Sequence, residues 1–374
     1  GESMKPNPTA PNRTGLSRVT RWADRLGRRS AAGLTILAAL GLSACGSGSR
    51  VDDFHPERIV VFGDELSLVA NGSASSEPAG SKYTINTLPY PATGVVDCGS
   101  NPMWTQILGS QFGFSMPGCG GSAGNAAMLA AYGATVDTLV TQVSGYTGTM
   151  DSKTLVTLMG GLHDVLAAYR LYKAGGKTHD EALALVADAG RRLGNLVNSV
   201  ARNGSGGRVV YATMPDLGLS PYAIAEGQQA LLSELSAKFN EQLRLTVVND
   251  GRYVGLVATD ATLQAMVTAY KTLPSSNGYG LANVTEPACQ LTTSQFDGSA
   301  DGDMAGVYSS QFKPYVATSP VDPHAVIGCS TLTLVSGASG SATTYLWADD
   351  VHPSPNWQRQ VGSAAVTRAT NNPF

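Results

Sequence analysis

Three short polar segments stand out from an otherwise apolar chain: Gly63-Asp64-Glu65-Leu66-Ser67, Gly161-Leu162-His163-Asp164 and Asp349-Asp350-Val351-His352-Pro353. Between them they hold several carboxylates and two imidazoles. A carboxylate three residues before a histidine, as Asp349 stands to His352, suits an acid–base pair in which the acid holds the imidazole in place. A carboxylate such as Glu65 can also attack carbon, with a histidine-activated water releasing the product, or it can act as a base toward water. Taken together, Glu65, His163, His352 and Asp349 also form a donor set compatible with zinc or iron. The remaining histidines carry less: His55 precedes a proline, His179 opens a helical pattern and His324 lies in a proline-flanked stretch. Each reads as a surface or capping residue.

These segments need a scaffold that brings them to one place, and the apolar pattern supplies it. Arg58–Phe62, Leu155–Met159, Arg208–Thr213 and, more weakly, Tyr253–Val257 are short β-branched runs that end at Gly or Pro or lead into helical patterns. Thr178-x-x-Glu181 is a capping box, and it opens a helical pattern running to Ala201 with Leu185, Ala189, Leu193, Leu196 and Val200 on one face. Ser233–Val247 and Ala261–Tyr270 are also helical in period, and Pro355–Arg368 reads as a closing helix with proline in its first turn. Strands alternating with helices predict a three-layer α/β/α sandwich around a parallel sheet. Residues just past the strand ends then converge on one edge, where such folds bind ligands. Two stretches, Gly72–Asn101 and Asn277–Thr343, lack periodicity and are expected as excursions above that edge. Asp64 and Asp164 are expected to anchor strand-end turns through backbone N–H groups.

In order along the chain, the three polar segments resemble the blocks of the SGNH/GDSL hydrolase family. Val60-Val61-Phe62-Gly63-Asp64-Glu65-Leu66-Ser67 is similar to its opening block, Gly161-Leu162-His163-Asp164 to its Gly-x-Asn-Asp segment, and Tyr345 to Pro353 to its closing Asp-x-x-His-Pro block. Met214 to Pro221, Phe239-Asn240 and Tyr279 to Val284 agree with intermediate marks, so the resemblance covers about residues 58 to 370. It implies a flavodoxin-like parallel sheet. It also implies a serine nucleophile activated by His352 and Asp349, with oxyanion donors from a central glycine and from the Asn position.

This chain departs from that pattern at two places. Glu65 stands where the resemblance puts the nucleophilic serine, and His163 where it puts the asparagine. Ala130 to Thr135 resembles the central block with Tyr132 in place of one glycine, which makes Gly133 the expected backbone N–H donor. Ser67 is the nearest hydroxyl, two residues past the nucleophile position. Three readings follow: a binding protein on a hydrolase frame, an active ester hydrolase using Glu65 with His352 and Asp349, or a metal site. No cofactor is expected.

Charge and cysteines bear on location. The 374 residues carry 25 Lys+Arg against 28 Asp+Glu, which excludes a basic nucleic-acid groove. Basic residues crowd before position 30, followed by an apolar run, Ala31–Ala44, shorter than a membrane-spanning helix needs. That is the order of a secretory signal over residues 1–44. Leu42-Ser43-Ala44-Cys45 resembles the lipobox of bacterial lipoproteins, which implies a lipid anchor on Cys45. A flexible tether over 45–57 and a single domain over 58–374 are expected to follow. Gly46 after Cys45 resembles outer-membrane sorting, with the domain on the periplasmic or surface face. Lipids, acylated glycans, polyesters and proteins are the candidate partners. Cys98, Cys119, Cys289 and Cys329 have three pairings open to them in an oxidising compartment, and nearest-in-sequence pairing is expected.

Overall fold

β1 (Arg58–Gly63) is apolar and buried from Ile59 onward, the pattern of a strand covered by helices on two sides. It lies inside a five-stranded parallel sheet of order β2-β1-β3-β4-β5. The other strands are β2 (Ala126–Met128), β3 (Thr154–Met159), β4 (Arg208–Ala212) and β5 (Val254–Val257). The structure is a computed structural model. It describes residues 53–73, 77–87, 98–122, 124–203, 207–289, 329–331, 334–338, 341–371 and 374. The signal segment, Cys45 and His324 lie outside the described residues, as does the greater part of the second excursion.

Helices α1 (Trp104–Gln111), α2 (Val136–Gly145), α3 (Leu162–Lys173), α4 (His179–Asn203), α5 (Pro221–Glu226), α6 (Gln229–Thr246), α7 (Thr259–Thr272) and α8 (Pro355–Thr370) flank the sheet. α4 packs along α6, and α1 packs on α8. The result is the expected α/β sandwich. Ile59, Val61, Leu155, Leu158, Val210 and Leu243 are fully buried at its centre. Each such side chain contributes roughly 1.5–3 kcal/mol by leaving water.

The strand order reverses direction at β1, with β2 on one side and β3 on the other. Such a switch point opens a crevice at the carboxyl ends of the strands, because the connections leave it on opposite faces of the sheet. Register carries this to the site: Phe62 pairs with Leu158 and Gly63 with Met159, so β1 and β3 end level with each other. A second, two-stranded parallel sheet joins β6 (Asn283–Pro287) to β7 (Tyr345–Trp347). β7 delivers the Asp349–His352 segment.

Disulfides join Cys98 to Cys119 and Cys289 to Cys329, the nearest-in-sequence pairing. Phe54, inside the expected tether, stacks against the guanidinium of Arg208 at 4.7 Å. The ring of Phe374 lies 5.0 Å from the same group. No helix among the described residues is long and apolar enough to cross a membrane.

Candidate active site

Glu65 sits two residues past the end of β1, in a turn closed by Asp64, whose Oδ1 accepts from the Leu66 N–H at 3.0 Å. The turn is tight because Gly63 passes close to β3: a Cβ there would lie 2.6 Å from the carbonyl oxygen of Met159. Gln142 of α2 clamps the same glycine. Its Oε1 accepts from the Gly63 N–H at 2.9 Å, and its Nε2 donates to the Gly63 carbonyl at 3.0 Å. On the other side Gln358 of α8 donates to the Leu66 carbonyl at 3.3 Å.

His163 stands in the first turn of α3, entered through Gly161 at φ 116°. A side chain at Gly161 would meet the ring of Phe239, so glycine is required on both counts. Asp164 reaches across to α2, its Oδ2 accepting from the Val136 N–H at 3.0 Å. That bond fixes the start of α2, and with it the loop carrying Tyr132 and Gly133. Burial raises the Asp164 carboxyl to about 6 against the pull of that N–H.

His352 is placed by a turn built on Asp349. Asp349 Oδ1 accepts from the N–H groups of Val351 at 3.0 Å and His352 at 2.8 Å. The Asp349 carboxylate also meets His352 Nδ1, at 2.8 Å through Oδ2 and 3.0 Å through Oδ1. The carbonyl of His352 accepts from the Ala348 N–H at 2.8 Å, which closes the turn.

All of these groups converge on one carboxylate. Glu65 Oε1 lies 2.6 Å from His163 Nε2 and 3.1 Å from His352 Nε2, and Oε2 accepts from the Gly133 N–H at 3.1 Å. Glu65 and His352 are 0% exposed, and His163 and Asp349 2%. Burial opposes the charge on Glu65, but the charges and hydrogen bonds of His163 and His352 prevail and hold its carboxyl well below the usual range. Burial likewise works against protonation of His352, yet Asp349 and Glu65 on its two nitrogens raise it to about 10. Asp64, next to Glu65, moves the other way: burial and then the Glu65 charge push it up to about 8. Its Oδ2 is buried without a hydrogen-bond partner, as a neutral acid tolerates better than an anion.

Two tyrosines close the chamber. The Tyr83 ring lies 5.6 Å from the His352 ring, and Tyr132 lies 5.6 Å from His163. The two tyrosines stack on each other at 5.1 Å with 25° between their planes. Tyr83 is held by its segment: Asn86 bridges back to the backbone of Lys82 through both ends of its amide, and the Asn86 N–H donates to the Cys329 carbonyl at 2.9 Å. Thr84 Oγ1 donates to the carbonyl of Pro353 at 3.0 Å, next to His352.

The structure therefore brings Glu65, His163, Gly133, His352 and Asp349 together, and leaves Ser67 out. Ser67 Oγ accepts from the indole N–H of Trp104 at 3.2 Å, which commits it to α1 rather than to His352. The donor set proposed for zinc or iron is directed inward upon itself: both Nε2 atoms point at Glu65 Oε1, and Asp349 binds the far nitrogen of His352. Among the described residues no group of three or more His, Cys, Asp or Glu is placed to hold a metal ion. His179 sits on the surface against Glu234, 2.8 Å from its carboxylate, and His55 is exposed. Tyr83, Asn86, Gln142 and Gln358 were not legible as site residues. Tyr83 and Asn86 lie in an aperiodic stretch, and the two glutamines read as ordinary polar positions.

The family model of the GDSL-like Lipase/Acylhydrolase matches residues 59–365. The chain belongs to this family. Among solved structures, the chain is similar to several at low identity. A lipolytic G-D-S-L family protein from Veillonella parvula is 12% identical with a TM-score of 0.36, over 83% of this chain and 96% of that one. Phospholipase A1 from Streptomyces albidoflavus is 16% identical with a TM-score of 0.35, over 56% and 83%. A carbohydrate acetylesterase from Sinorhizobium meliloti is 15% identical with a TM-score of 0.31, over 55% and 85%. No curated protein matches the sequence.

Proposed function

We propose that this GDSL-family chain is an exported lipoprotein, anchored through Cys45, that has lost conventional serine-esterase chemistry and works by binding a lipid, acylated glycan, polyester or protein partner. One observation carries the reading. Glu65, at the position of the family's serine, engages the Gly133 N–H and the Nε2 atoms of His163 and His352 in a fully buried cluster. The groups that a serine mechanism uses as base and oxyanion donors are thus occupied by the chain's own carboxylate. Because His352 lies between two carboxylates and is raised to about 10, it holds its proton near neutrality and cannot accept another. The signal-like leader and the sequence around Cys45 support export and anchoring at the outer membrane, with the domain facing the periplasm or the surface.

Hydrolysis of short-chain p-nitrophenyl esters by the parent, Glu65→Ser and His352→Ala tests this. A silent parent and an active Glu65→Ser support an intact frame without its serine. A second reading, an active hydrolase with Glu65 as nucleophile or base, is favoured by the complete Asp349–His352 pair, bonded at 2.8 Å. A parent that already turns over, and is weakened by both substitutions, establishes that second reading and rejects the first.

A further inference from the structure

A second group of polar side chains gathers at the outer side of β5, three strands along the sheet from β1. A cavity of about 320 Å³ opens there, lined by Tyr211, Arg244, Val254, Leu256, Arg368 and Phe374 among others. That volume falls within the roughly 300–1,000 Å³ of small-ligand sites. Its donors come from three elements: β4 supplies Tyr211, α6 Arg244 and α8 Arg368. Tyr211 is only 7% exposed, and among the described residues its hydroxyl makes no hydrogen bond. A largely buried hydroxyl costs free energy unless something in the cavity meets it. Burial raises this hydroxyl against the pull of the Arg244 and Arg368 charges, so it stays a donor. Both arginines are held by bonds that leave donors over. Arg244 Nη2 donates to the two oxygens of Asp260 at 2.7 and 2.8 Å, and Arg368 Nε donates to the Leu256 carbonyl at 3.1 Å, on the edge of β5. Gly255 permits that course, because a Cβ there would lie 2.5 Å from Arg368 Cγ. Among the described residues no carboxylate pairs with Arg368, and Asp250, just before β5, is taken by Arg252 at 2.8 Å.

We propose that the edge of β5 carries a phosphate-binding site, in which the Tyr211 hydroxyl and the guanidinium groups of Arg244 and Arg368 hold the phosphate group of a monoester. Guanidinium forks match phosphate oxygens and keep their charge at any working pH. Donors that approach from a strand and two helices suit a tetrahedral oxyanion better than a carboxylate, whose oxygens lie in one plane. A soluble phosphate ester and a lipid headgroup offer the same chemistry to these residues. The site stands apart from the Glu65 cluster, and nothing in it depends on how Glu65 is read.

Calorimetric titration of the protein with glycerol phosphate, and with acetate as the planar control, at constant ionic strength in chloride tests the site. Saturable binding of glycerol phosphate is expected, with acetate at least about tenfold weaker. Tyr211→Phe, which keeps the ring, and Arg368→Gln are each expected to weaken binding about tenfold or more, and Arg368→Lys, which keeps the charge, less than Arg368→Gln. Absent saturation, equal binding of acetate, or affinity unchanged by Tyr211→Phe and Arg368→Gln overturns the proposal. Should Arg368→Gln fail to fold, Tyr211→Phe decides alone. The source of the phosphate is read in a Cys45→Ala background, by sedimentation with phosphatidylcholine vesicles with and without phosphatidic acid. Binding that needs phosphatidic acid and is lost in Arg368→Gln supports the site as one for a lipid headgroup. Calorimetric binding without vesicle binding supports it as one for a soluble ester. Vesicle binding that survives Arg368→Gln, with no calorimetric binding, overturns it.

Discussion

Glu65 Oε1 and His352 Nε2 meet at 3.1 Å with neither side chain exposed, while the opposite nitrogen of the imidazole is held by Asp349 at 2.8 Å. An imidazole between two carboxylates is a cation, and that decides what the site does with protons. The relationship also makes the cluster's stability depend on pH in a definite direction.

His352 is raised from 6.5 to about 10, so its contribution to stability is complete below pH 6.5 and is lost as pH rises through about 10. Glu65 is depressed, so its contribution is complete above about 4.5 and is lost only as the pH falls through its lowered value. Thermal melts of the parent are expected to decline from pH 7 to 10 through His352, with Asp64 adding its own fall between about pH 4 and 8. His352→Gln should flatten the alkaline limb. An equally steep decline in that variant would show that the imidazole is not its source.

Removing Glu65 leaves two histidines and a backbone N–H facing each other in a buried space. Breaking a buried ion pair from one side costs about 3–5 kcal/mol, because the partner charge loses its compensation. Glu65→Ala is therefore expected to lose that much in urea unfolding at pH 6, and Glu65→Gln, which can still accept and donate hydrogen bonds, distinctly less. Equal losses would show that the missing charge alone carries the cost, since Glu65→Gln keeps the packing.

Asp64 behaves in the opposite sense. Its folded value of about 8 lies above the ordinary 3.8, so its favourable contribution is complete below about pH 4 and is lost as pH rises through about 8. Asp64→Asn keeps the acceptor for the Leu66 N–H and cannot ionise. It is expected to lie within about 1 kcal/mol of the parent at pH 5 and to be the more stable of the two at pH 9. A variant less stable at pH 9 would mean that the charge on Asp64 is wanted.

The proposed anchor has its own readout. Cells supplied with an alkynyl fatty acid are expected to label the parent and not Cys45→Ala, with the label partitioning into the membrane fraction. Labelling that survives the substitution would place the lipid elsewhere or reject the anchor.

Much of this molecule is legible along the chain. The apolar runs of β1, β3, β4 and β5, the capping box before α4 and the proline opening α8 are local signals, because periodicity and end-capping are set by near neighbours. The polar segments bearing Glu65, His163 and His352 were visible for the same reason, and their order carried the family resemblance. β2 escaped notice because three residues of modest hydrophobicity make no pattern alone, and β7 because its neighbours do not repeat. What the tertiary structure decided is which partner each group faces. His163 and the Gly133 N–H turn to one carboxylate because β1, β2 and β3 end side by side at the switch point, and β7 of the second sheet brings His352 to it, while the indole of Trp104 takes Ser67. Tyr83 comes to lie over His352 because Asn86 ties its segment to Cys329, a contact across 243 residues. Residue types and short spacings are properties of the sequence, whereas the distances that turn a carboxylate and two histidines into a closed cluster arise only when remote strands of the two sheets deliver their ends to one place.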